Sequence, residues 1–199
     1  MASRRPPESR GSLRRVIALG DTREVAAAYL AMAGGDVAER RYPDDSTAPG
    51  DNIARLRVIR VCSPDRATLP TLDIGAPFGI EMQFDLLAFG MTVFPSFVVN
   101  NEWGPICWAT DAGSPGHGTP RAAGRHRVIA WFPANFLTAG RMTITASLMS
   151  FTPYAEHFRE LEVVAFQALE THGGSRGIFT GHIDGGIRPL LEWESELLP

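Results

Sequence analysis

The sequence predicts an all-β chain, an antiparallel β-sandwich of about eight strands preceded by one short N-terminal helix. Three observations carry that prediction. From residue 53 onward, apolar and polar residues alternate in short runs. Gly, Pro and Asn interrupt the chain between runs. The runs then recur at the spacing expected of strands in an antiparallel sandwich.

In chain order, residues 1–15 (MASRRPPESRGSLRR) are rich in Arg, Pro and Ser and are expected to be disordered. VIAL, 16–19, is a short extended run. It leads into a helix over 22–33, where Asp21 and Glu24 have capping-box spacing and Gly34 suits the C-terminal cap. Val25, Tyr29 and Met32 share one face of that helix, and a helix so short needs a surface on which to dock. Residues 35–52 lack periodicity, carry turn formers and read as a linker, so the body of the fold, 53–199, starts near Ile53.

Within that body, 53–62 alternates until Pro64 stops it. In 78–87, Phe78, Ile80, Met82, Phe84 and Leu86 face inward, while Glu81, Gln83 and Asp85 face outward. Pro95 within 91–100 predicts an edge strand or a bulge. The run 103–110 follows, with Trp108 expected inside. Next comes a pair, 125–133 and 141–151, joined by ANFLTAG. The second member sets Met142, Ile144, Ala146 and Leu148 against Arg141, Thr143, Thr145 and Ser147. Runs at 160–170 and 187–194 complete the set. Most polar rows on such strands are ordinary solvated surface.

Composition excludes more than it selects. The 199 residues are 44% apolar and 21% charged with net charge −3, a balance that implies neither a nucleic-acid-binding surface nor a polybasic membrane anchor. All 19 basic residues are Arg, so neither Schiff-base chemistry nor a phosphate loop built on GK[ST] is available. Cys62 and Cys107 sit in apolar strand-like runs and read as buried, reduced thiols. The five histidines show no metal-ligand spacing, and no GxSxG is present. Glu81 and Asp85 on one strand face are more often a solvated row than an acid/base pair. The expectation is a non-enzyme without cofactor or metal. No apolar h-region follows the N-terminal arginines, so a cytoplasmic protein is expected.

Four stretches resemble a known family: VIALGDTREVAAAYL (16–30), GRHRVIAWFPANFLTAGRMTITASL (124–148), VVAFQAL (163–169) and RGIFTGHIDGGIRPLLEW (176–193). They are similar to the C-terminal carbohydrate-binding domain of Wzt-type ATP-binding proteins, which export O-antigen polysaccharide through ABC transporters. By that resemblance, 16–34 corresponds to the strand and helix that end the ATPase module. The phosphate-loop lysine is missing, so the chain is not expected to hydrolyse ATP: it is either an excised or stand-alone sugar-binding domain, or one whose transporter partners, the ATPase and permease, are separately encoded.

The resemblance implies an immunoglobulin-like sandwich, a homodimer with its last strand a candidate for exchange between protomers, and no nucleic-acid partner. It implies binding of the nonreducing end of a lipid-linked polysaccharide, cytoplasmic and peripheral to the inner membrane, coupling chain termination to export. A sugar site needs hydrogen-bonding groups beside an aromatic face. Gln83, Asp85, Thr143, Thr145 and Trp131 are the candidates, placed together on the outer face of one sheet, with Arg127 for an anionic glycan group. Alternation leaves open whether Trp131 or Val128 and Ala130 face outward. A protein–protein adaptor and a carboxylate-based glycan hydrolase are the alternative readings.

Overall fold

The computed structural model describes residues 37–171 and 185–197. The helix expected over 22–33 lies outside the described residues. The described chain forms strands β1 Glu39–Arg41, β2 Ala54–Cys62, β3 Thr71–Asp73, β4 Phe78–Leu86, β5 Phe94–Asn101, β6 Gly104–Thr110, β7 Gly124–Phe132, β8 Gly140–Phe151 and β9 Tyr154–Leu169. They assemble into a four-stranded sheet, β1-β2-β4-β7, and a five-stranded sheet, β3-β9-β8-β5-β6. All pairings are antiparallel except β3 with β9, which is parallel.

The core lies between the sheets. Phe78, Ile80, Met82, Phe84 and Leu86 of β4 face Met142, Ile144, Ala146 and Leu148 of β8 through one continuous apolar cluster. Both inward sets match the alternation of the sequence, because a strand covered on one side buries every second residue. Phe78 stacks on Phe132 at 4.9 Å between ring centroids and extends this packing to the end of β7. Among the described residues, Cys62 and Cys107 are both free, in opposite sheets, and burial raises both thiol pKa values.

Several expectations are corrected. The stretch 35–52 does not run as a bare linker: β1 lies inside it, pairing Arg40 with Ile59, and Ala48 is buried. β1 and β3 are too short to show alternation. β5 is not an edge strand, since β8 and β6 flank it. Pro95 is tolerated because the ladder to β6 begins only at Ser96. The segment 187–194 is not a strand. Ile187 makes one isolated bridge to Leu137, and Pro189 has no N–H with which to continue a ladder. Finally, β7 and β8 are sequential but not paired, because the link between them crosses from one sheet to the other.

Candidate functional site

The outer face of the five-stranded sheet carries an open groove of about 980 Å³. Its floor is a polar row on β5 and β8, the central strands of that sheet. The Ser96 and Ser147 hydroxyls are 2.7 Å apart, and Asn100 Nδ2 donates to Thr143 Oγ1 at 3.4 Å. Thr145 Oγ1 accepts the Glu162 backbone N–H at 3.2 Å. Cross-strand pairing explains the row: Ser96 faces Ser147, and Asn100 faces Thr143.

Two aromatic residues rise from the groove. Trp108, opposite Val98 on β6, is 67% exposed, and Tyr154 at the start of β9 is equally exposed. Trp108 is therefore not in the core as expected: its neighbours Cys107 and Ala109 pack inward, and alternation turns the indole out. A bulge shapes the far wall. Leu161, Glu162 and Val163 of β9 face only Thr145 between two regular pairs, so that strand bows outward. Glu162 sits at φ 47°, and its amide is pinned by the Thr145 hydroxyl. Arg159 and Glu156, 3.8 Å apart, add one charge of each sign along the same strand.

The outer face of the four-stranded sheet is a lattice of ion pairs. Arg125 forks onto Asp85 with bonds of 2.7 and 3.0 Å. Arg57 donates to Asp85 at 2.6 Å and also reaches Asp45. Glu81 is fully buried beneath this layer. It accepts from Arg60 at 2.8 Å and from Gln83 at 2.6 Å, with Arg127 at 3.3 Å. Arg125 holds the Asp85 carboxyl below its ordinary pKa, against burial and with help from Arg57. Burial pushes the Glu81 carboxyl up, but the bonds from Arg60 and Gln83 outweigh it and the net direction is down. Neither carboxyl is set to hold a proton at neutral pH, as a general acid must.

The six candidates thus divide between two faces. Gln83, Asp85, Arg127 and Trp131 lie on the four-stranded sheet, and Thr143 and Thr145 lie on the five-stranded one. They do not form one site, because β4 and β7 belong to a different layer from β8. Trp131 does face outward: it is 47% exposed, lies over Gly79 and has the Arg66 guanidinium 5.7 Å from its ring. Asp85 and Gln83 bond to neighbouring side chains, while Thr145 lines the groove and Thr143 is a buried acceptor for Asn100. Sequence reasoning does not single out Asn100, Trp108 and Tyr154 as site residues. The opposition of Asn100 and Thr143 depends on the β5–β8 register, which alternation within one strand does not reveal.

Among the described residues, no three His, Cys, Asp or Glu side chains cluster as metal ligands, and no helix is long and apolar enough to cross a membrane. No family model matches the sequence, and no curated protein matches it. A Niemann-Pick type C2 protein from Japanese carpenter ant aligns with TM-score 0.41 and 12% identity over 61% of this chain and 95% of that one. A solved structure of the C-terminal domain of Wzt has TM-score 0.59 and 12% identity, covering 82% of this chain and 92% of that one. The chain therefore has the fold of the Wzt C-terminal domain, the resemblance its sequence carries.

Proposed function

We propose that the chain binds a glycan without altering it, in the groove on the outer face of the five-stranded sheet. The observation that carries this is the pairing of exposed Trp108 and Tyr154 with a floor of Asn100, Thr145 and Ser147. Aromatic faces receive the C–H groups of a sugar ring, and amides and hydroxyls match its hydroxyls. The fold likeness supports taking the ligand as the nonreducing end of a lipid-linked O-antigen-type polysaccharide. On this reading, binding couples chain termination to export by an ABC transporter. The protein then works as a homodimer, peripheral to the inner membrane on its cytoplasmic side.

Isothermal titration with purified bacterial O-polysaccharides tests the reading. Dissociation constants of about 1 µM to 1 mM are expected, because sugars must displace well-bonded water. Trp108→Ala and Tyr154→Ala should each weaken binding about tenfold or more, with the fold retained. If no glycan binds while the same face captures a glycosyltransferase or methyltransferase, the adaptor reading replaces this one.

A further inference from the structure

A second cavity lies at an edge of the sandwich, where β7 ends one sheet and β6 ends the other. It is an open cleft of about 690 Å³, within the roughly 300–1,000 Å³ range of small-molecule sites. Its walls are apolar. Phe97 and Ala109 line it from the five-stranded sheet, Val128 and Ala130 line it from β7, and Phe132 and Phe136 close one end. The two phenylalanine rings are 5.7 Å apart.

The void has a cause in the sequence. The inward positions of the two edge strands hold small residues, Ala109 and Ala130, where bulkier side chains would meet and seal the sandwich. Val128 and Ala130 consequently face the core yet stay only partly buried. Protein interiors are otherwise packed nearly without voids, so an apolar opening of this size is a binding-site candidate.

The opposite end of the cleft is polar. There the loop after β6 brings Asp111, Ser114 and Arg121 to the rim. The Arg121 backbone is fixed by bonds with Met91 and Gly90, and its Nη2 donates to Asp111 at 3.2 Å. Its Nε is buried and has no acceptor among the described residues. Arg121 lines the cleft with part of its side chain exposed, and beyond its bond to Asp111 the guanidinium suits a carboxylate or phosphate oxygen.

We propose that this cleft binds a single-chain amphiphile, its apolar tail between the sheets and its carboxylate or phosphate head at Arg121. The site goes beyond the glycan reading and is separate from it, since the groove lies on the outer face of one sheet and the cleft opens between the two.

Displacement of the fluorescent fatty acid cis-parinarate from the full chain tests it, using dodecanoate, farnesyl phosphate and neutral dodecyl maltoside below their micellar concentrations. Wild type should bind parinarate and release it to dodecanoate, to farnesyl phosphate or to both, and which of them competes identifies the tail and head. Ala130→Phe should weaken parinarate binding about tenfold by filling the cleft. Arg121→Gln leaves the walls intact, and it should bring the affinity for the anionic competitors down to that for dodecyl maltoside. Trp108→Ala should leave all of these values unchanged. The proposal fails if wild type ignores parinarate, if a folded Ala130→Phe binds it as wild type does, or if Arg121→Gln alters nothing.

Discussion

Asp85 shows how a polar row becomes structure. Its two oxygens take bonds from Arg57 and Arg125, and Arg57 is itself buried. Replacing the carboxylate leaves the buried Arg57 with the exposed Asp45 as its remaining counter-charge, so Asp85→Asn should cost about 2–3 kcal/mol at pH 7 in urea unfolding. The pH dependence follows from the lowered pKa values of Asp85 and Glu81. A carboxyl depressed in the folded state stabilises above its unfolded pKa and loses that contribution as pH falls through the folded one. Wild-type stability should therefore fall as the pH drops below about 4, the ordinary carboxyl range, and the gap to Asp85→Asn should narrow as the pH falls further. Trp108 gives the contrary case. An indole two-thirds exposed contributes little to folding, so Trp108→Ala should stay within about 0.5 kcal/mol of wild type while losing glycan affinity.

At the scale of elements, the inward and outward sets of β4 and β8 are legible in the amino-acid pattern, because period-two burial depends only on the strand itself. Neighbour relations are not legible in the same way. β7 and β8 read as partners from their adjacency, yet the short link between them crosses the sandwich. That crossing separates Trp131 from Thr145. The β9 bulge is equally invisible in the sequence, since Leu161, Glu162 and Val163 carry no Gly to mark it. Its anchor makes a prediction: Thr145→Val removes the acceptor for the Glu162 amide. Stability should fall by about 1–2 kcal/mol, and the Glu162 N–H should exchange faster by NMR.

For the whole molecule, strand spacing makes the sandwich legible, while the division of labour between its faces requires the sheet order. One face spends its charges on internal pairs around Glu81 and Asp85, and the other leaves Trp108 and Tyr154 exposed beside a floor of uncharged amide and hydroxyl groups. The C-terminal segment adds a further whole-molecule feature. It is tied to the β7–β8 link through Arg188 and Phe136, yet Leu190, Leu191 and Trp193 remain exposed. If these cover a second copy in the proposed homodimer, replacing all three by Ser should convert the dimer to monomer in sedimentation velocity; unchanged sedimentation would count against that role. On the proposed reading, the five-stranded face holds the glycan. The most direct test of that reading is an amide and indole NMR titration with O-polysaccharide. Signals of Asn100, Trp108, Thr145 and Tyr154 should move while those of Gln83, Arg125 and Trp131 stay still, and the reverse pattern, or no movement with any polymer, would contradict it.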